Sequence, residues 1–154
     1  MSESKSQVQA NAAVPTDEKG YFDLHVIGVG YLNRIREVKP RKGHPFLACS
    51  ISAMRGDPMD VEYTKFDLRV TGSEAKRIVG MLRPEVDAKK AVIIGFKLGD
   101  IYPESFIYER GDRKGQQGLV IKGRLLKINF AKVDGRTVPL PKSEGPAQAE
   151  AAAG

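Results

Sequence analysis

Tryptophan is absent from this chain of 154 residues, cysteine occurs once and histidine twice. Without tryptophan, any stacking surface must come from the five tyrosines or six phenylalanines. A single cysteine, Cys49, excludes an internal disulfide and fits a reducing compartment. It alternates with polar positions on an apolar segment, which reads as a small buried hydrophobe. His25 falls on a predicted strand and His44 in a predicted turn, and neither has a ligand or nucleophile at useful spacing. Acidic residues are scattered, with no paired set on one face, so metal-assisted hydrolysis has no support. Gly28 and Gly30 begin like a dinucleotide fingerprint, but a third glycine and a following helix are missing. The chain therefore reads as a non-enzyme with no cofactor and no metal. Long apolar runs are lacking too: AVIIGF is the longest and Lys97 ends it, so no membrane span is expected. The opening MSESKSQVQANAAVP has no apolar stretch of the kind a secretory signal needs, which points to the cytoplasm.

What the chain has is positive charge, and it is localised. The formal net charge is +6, while residues 21–139 carry 22 basic against 14 acidic residues and both flanking segments are net acidic. A basic body suggests an anionic partner, nucleic acid first. Residues 1–20 and 140–154 are rich in Ala, Ser, Gln, Pro and Glu and have no apolar periodicity, so they read as disordered tails around one domain over 21–139.

Within the body the apolar pattern is that of strands. The first candidate strand, from Tyr21 to Val38, places Phe22, Leu24 and Val26 on one face, and its two glycines suggest a bulge or bend. Beyond them, alternation puts Leu32, Arg34, Arg36 and Val38 on one side and Tyr31, Asn33 and Ile35 on the other. A turn over Pro40–Pro45 leads into FLACSISAM, and RGDPMD reads as a loop. The third strand sets Phe66, Leu68 and Val70 against Tyr63, Lys65, Asp67 and Arg69, one side for a core and one carrying a ring and two cations. Ser73 is the expected helix N-cap; Ala75, Ile78, Val79 and Leu82 give an apolar face, and Pro84 should end the helix. A fourth strand from Ala91 to about Asp100, a glycine-rich excursion, and a fifth from Leu119 to Val133 follow, closed by a turn at Asp134–Gly135 and a brief strand at 137–139. Five strands with one short helix between the third and fourth make a mainly β chain in the order of an OB-fold barrel, with other small barrels and an α+β sandwich as competitors.

The cations gather where such a barrel would bind an oligonucleotide. Arg34, Arg36, Lys39, Arg41 and Lys42 put five cations in nine residues opposed only by Glu37. Arg110, Arg113, Lys114, Lys122, Arg124 and Lys127 follow, with Asp112 the one acid across 110–127. These map to the loops joining strands 1–2 and 4–5, which flank the groove of an OB-fold. The competing explanation is a set of charged strand edges that resist aggregation. Tyr63, Tyr102 and Tyr108 sit among the charges and are candidate stacking rings, with Phe106 as a further one, whereas Phe22, Phe46, Phe66, Phe96 and Phe130 read as core.

These residues also carry a resemblance. VIGVGYLNRIREVKPRKGHPFLACSISA and EYTKF resemble the opening strands of bacterial single-stranded DNA-binding proteins, and the Gly72, helix and strand run with the Gly95–Tyr102 spacing follows the same pattern. The likeness covers about Tyr21 to Val133. More closely, YFDLH, GYLNRIREVKP and VEYTKFD are similar to phrases of an uncharacterised family of replication-associated proteins of integrative conjugative elements. The resemblance implies an OB-fold, a homo-oligomer, and stacking roles for Tyr63 and Tyr102 where the binding family has tryptophans. The chain ends AEAAAG, without that family's acidic, Phe-ended tip, so partner recruitment by that route is not expected. The expected function is binding of single-stranded DNA with little sequence preference, in replication or transfer of a mobile element. The alternative is an OB-fold protein-interaction module in a replication or conjugation complex, with RNA binding a weaker third reading.

Overall fold

The computed structural model describes residues 22–141. Of the disordered tails expected at 1–20 and 140–154, only Leu140 and Pro141 are described, and Leu140 packs against the core, so the folded part extends past the expected boundary. Among the described residues six strands and one helix follow in order: β1 (His25–Val38), β2 (Phe46–Asp57), β3 (Asp60–Val70), α1 (Ser73–Asp87), β4 (Val92–Ile107), β5 (Gln117–Val133) and β6 (Arg136–Val138). The sheet runs β3-β2-β1-β4-β5-β6 with antiparallel neighbours, and a parallel pairing of β3 with β5, Phe66 opposite Ile121 to Val70 opposite Leu125, closes it. The result is a closed, mixed five-strand barrel with a helix between its third and fourth strands, an OB-like fold.

Closure is driven by one apolar interior. Leu32, Ile51, Leu68, Ile94, Phe96, Leu98 and Leu125 are each at most 2% exposed, and the Ala75, Ile78, Val79 and Leu82 face of α1 packs into the same cluster. Cys49 is buried with them. Burial pushes its thiol up to about 12; the nearby Arg36 guanidinium partly offsets this and Asp67 adds to it. Because the folded pKa is raised, this group favours the fold fully below the unfolded thiol's pKa, and that contribution is lost as pH rises toward the folded value. Cys49 should thus resist a thiol reagent at pH 8 and react at once in denaturant; rapid labelling of the native protein would contradict its burial.

Several boundaries differ from the sequence reading. β1 starts at His25, so Phe22 and Leu24 have no continuous strand partner and stand 71% and 56% exposed, not in the core. The bend in β1 is not at its glycines but at Arg34, whose φ of 48° marks a bulge between Asn33 and Arg36 in the β1–β2 register. That extra residue turns both Leu32 and Ile35 inward and sends Arg36 to the outside. The RGDPMD segment is a two-residue hairpin turn, with Asp57 opposite Asp60 and Asp57 Oδ1 accepting the Met59 N–H at 2.9 Å.

Gly72, not Ser73, holds the N-cap position of α1, and the helix runs through Pro84 to Asp87. Proline in the last turn leaves only the Gly80 carbonyl without its intrahelical bond, and Gly80 is exposed to water. The final turn is secured by the Ala88 N–H bonding to the Pro84 carbonyl and by Val86 packing on the core. The glycine-rich excursion is the continuation of the β4–β5 hairpin, which stands out as an arm paired as far as Ile107 and Gln117. The Asp134–Gly135 turn forms as expected: both residues have positive φ, which suits a two-residue hairpin loop.

Candidate nucleic-acid interface

The outer face of the barrel carries the polar half of each alternating strand. Register aligns Asn33, Ser50, Asp67, Lys122 and Tyr102 in one row across all five barrel strands, with Arg36, Ala48, Arg69 and Arg124 in the next. Apart from Asn33 and Ser50, these rows floor a groove of about 540 Å³ in which Arg36, Phe46, Arg69, Tyr102, Lys122 and Arg124 meet. Two bulges make this meeting possible. The one at Arg34 brings Arg36 outward. The second lies between Gly99 and Tyr102, where Asp100 takes a φ of 55°. Strict alternation from Phe96 and Leu98, both fully buried, would turn Asp100 and Tyr102 inward. Instead Ile101 packs on the core and Tyr102 stands 50% exposed. Positive φ at non-glycine residues is uncommon, and the two instances inside barrel strands, Arg34 and Asp100, redirect groove side chains.

The groove is not uniformly positive. Arg36 Nη2 donates to Asp67 Oδ1 at 2.7 Å, in a pair only 30% and 23% exposed. Lys122 lies 3.5 Å from Glu104, and Arg124 lies 3.5 Å from Asp100. The Arg69 guanidinium lies 4.2 Å from the centre of the Phe46 ring, a cation–π contact at the groove's edge. Phe46, expected in the core, is thus half-buried beneath Arg69. The signal was present: Phe46 shares its side of β2 with Ala48, Ser50 and Ser52.

Two basic loops continue from the strands of the groove. The β1–β2 loop, carrying Lys39, Arg41 and Lys42, joins two strands whose facing ends, Val38 and Phe46, both line the groove. At the arm's tip are Tyr108, Arg110, Arg113 and Lys114. Phe106 and Tyr108 meet edge to face at 4.9 Å, and Arg113 donates to the Tyr108 hydroxyl at 3.1 Å while lying 5.4 Å from the ring centre. They fold over Gly118, where a Cβ would fall 2.8 Å from Tyr108. These contacts brace the Tyr108 ring at the tip. Lys39, Arg41, Lys42, Lys65, Arg110 and Lys114 make no ion pair with any other described residue.

Tyr63 and Lys65 lie beside this groove. Tyr63, 49% exposed, sits 6.2 Å from Tyr31 in a shallower depression of about 460 Å³ shared with Asn33 and Ser52. Tyr31 was not singled out from the sequence, although it shares the polar side of β1 with Asn33. Arg34 is exposed at its bulge and lines neither depression. The structure thus unites Arg36, Arg69, Tyr102, Lys122 and Arg124, sets Tyr63 and Lys65 alongside, and carries the cations of the two basic loops on continuations of the same strands.

Among the described residues, no cluster of His, Cys, Asp and Glu could hold a metal ion, and no helix is long and apolar enough to cross a membrane. No curated protein and no solved structure matches the chain. A family model does match residues 15–145, nearly the whole chain, and by that match the protein belongs to the family described as protein of unknown function, DUF3577.

Proposed function

We propose that this protein binds single-stranded DNA along the outer face of its barrel. The observation that carries this reading is the groove itself, where the half-exposed Tyr102 ring shares one floor with Arg36, Arg69, Lys122 and Arg124. A single strand offers unstacked base faces to rings such as Tyr102 and Tyr63, while its phosphates reach the loop cations. A duplex keeps its base faces stacked inside and cannot use the rings. Because most contacts are of ring and charge type, they tolerate sequence. The resemblance of β1 and β3 to replication-associated proteins of conjugative elements supports a role in replication or transfer of a mobile element, and implies a homo-oligomer.

Fluorescence anisotropy with single- and double-stranded oligonucleotides over a salt series tests this. If about five phosphates are neutralised, log K should fall against log salt with a slope of roughly −3.5. Salt-independent affinity, or duplex bound as tightly as single strand, would sink the proposal.

A second reading is favoured by the ion pairs within the groove. Arg36, Lys122 and Arg124 each face a carboxylate, a mixed pattern that suits a protein surface. On that reading the protein is an interaction module in a replication or conjugation complex, and excess poly-dT would leave the partner bound.

A further inference from the structure

The carboxylates in the groove need a role that phosphate binding does not provide, since they repel phosphate. Asp67 has one: its short, half-buried pair with Arg36 ties β3 to β1. Asp100 does not. Its partner Arg124 is 3.5 Å away, their side chains are 57% and 50% exposed, and no hydrogen bond joins them. Both line the groove next to Tyr102. The bulge at Asp100 places this loosely held carboxylate two residues before the ring, on the same outer side. A base stacked on Tyr102 would present its hydrogen-bonding edge to an acceptor pair and a donor group side by side.

We propose that Asp100, with Arg124 beside it, selects guanine for the base that stacks on Tyr102. The inference rests on the single-stranded DNA reading and refines it at one position. Guanine alone among the four bases carries two adjacent donors on its pairing edge, N1–H and N2–H, which a carboxylate can accept together, with O6 next to them for a guanidinium. Cytosine and adenine offer the carboxylate one amino group, and thymine one N–H flanked by two carbonyls. Charge-assisted bidentate bonds are the stronger and more selective kind. Leaving Asp100 and Arg124 to a base edge also fits the cations of the two basic loops, which have no carboxylate partner among the described residues and remain for phosphate.

The test uses the full chain and thymine 12-mers with one central base changed to guanine, inosine or adenine. Guanine should tighten binding about fivefold to tenfold over the all-thymine strand. Inosine, lacking the N2 amino group, should lose most of that gain, and adenine, which stacks as a purine, should show little of it. Asp100→Asn keeps a side chain tolerant of positive φ and the same shape, so the bulge survives. This variant should bind all four strands within about twofold of one another. Equal affinity of the wild-type protein for guanine and thymine strands overturns the inference, as does adenine matching guanine or Asp100→Asn keeping the preference. Those outcomes leave single-stranded DNA binding intact; failure to bind any of the strands overturns both.

Discussion

Combining Tyr63→Ala with Tyr102→Ala is expected to weaken binding of a thymine oligonucleotide by roughly a hundredfold, since each base–ring stack is worth about 1–3 kcal/mol. The two rings belong to neighbouring depressions, Tyr102 to the main groove and Tyr63 to the one shared with Tyr31. One strand crossing both would use each ring for a different base, so the losses should nearly add. Both side chains are half exposed, and neither belongs to the core cluster. Thermal stability should therefore move little, with the loose Tyr31–Tyr63 contact accounting for most of any change. Anisotropy titration paired with a melting curve separates the outcomes. Unchanged affinity with an unchanged melt would assign both rings to surface packing and leave the groove without its stacking function. A Tyr102→Phe control, which keeps the ring and drops the hydroxyl, should bind close to the wild-type level if stacking is what matters.

The largest effect on stability should come from a single methyl group at Gly30. A Cβ there would lie 2.7 Å from the Ala53 Cα and nearer still to the Ser52 carbonyl oxygen, both backbone atoms of the paired strand. Backbone cannot swing aside as a side chain can, so β1 and β2 must part where β1 also pairs with β4. Gly30→Ala should cost about 3 kcal/mol, at the upper end of overpacking effects, and lower the melting temperature by roughly 10 °C. Gly28→Ala is the informative contrast. Its Cβ would meet the tip of the buried Phe96 ring at 3.1 Å, so a side chain need shift by only a few tenths of an ångström and no backbone is displaced; it should cost about 1 kcal/mol. Neither glycine has positive φ. If the two variants were equally destabilised, the cause would be chain flexibility and not the close approach of strands.

The same two glycines show how far the sequence could be read. Their presence in an apolar strand suggested a bend, but the bend lies at Arg34; their physical use is close contact, and only the folded neighbour reveals that. The β3 alternation, the apolar face of α1, the buried Cys49 and the turn at Asp134–Gly135 follow from local rules of period and turn chemistry, and each was legible. Phe46 was legible too, since it shares a polar side of its strand, yet phenylalanine's apolarity argued for the core; Tyr31 was not, because unbroken alternation grouped it with Ile35. Phe22 was assigned inward because alternation says nothing of where a strand's partner begins. Pro84 was taken as a stop because the pull of Val86 toward the core is a tertiary effect.

Taken alone, the sequence determined a basic, mainly β domain with one helix after its third strand and charge gathered in two loops. Composition, periodicity and chain order carry that information without reference to distant contacts. The groove was decided by the tertiary structure. Arg36 and Tyr102 would both face inward on unbroken strands, and each is turned outward by one extra residue at a positive-φ position, Arg34 in β1 and Asp100 in β4. A single residue of register reverses every side chain beyond it. Where that residue is inserted depends on how the closing barrel pairs β1 with β2 and β4 with β5, which no local pattern records.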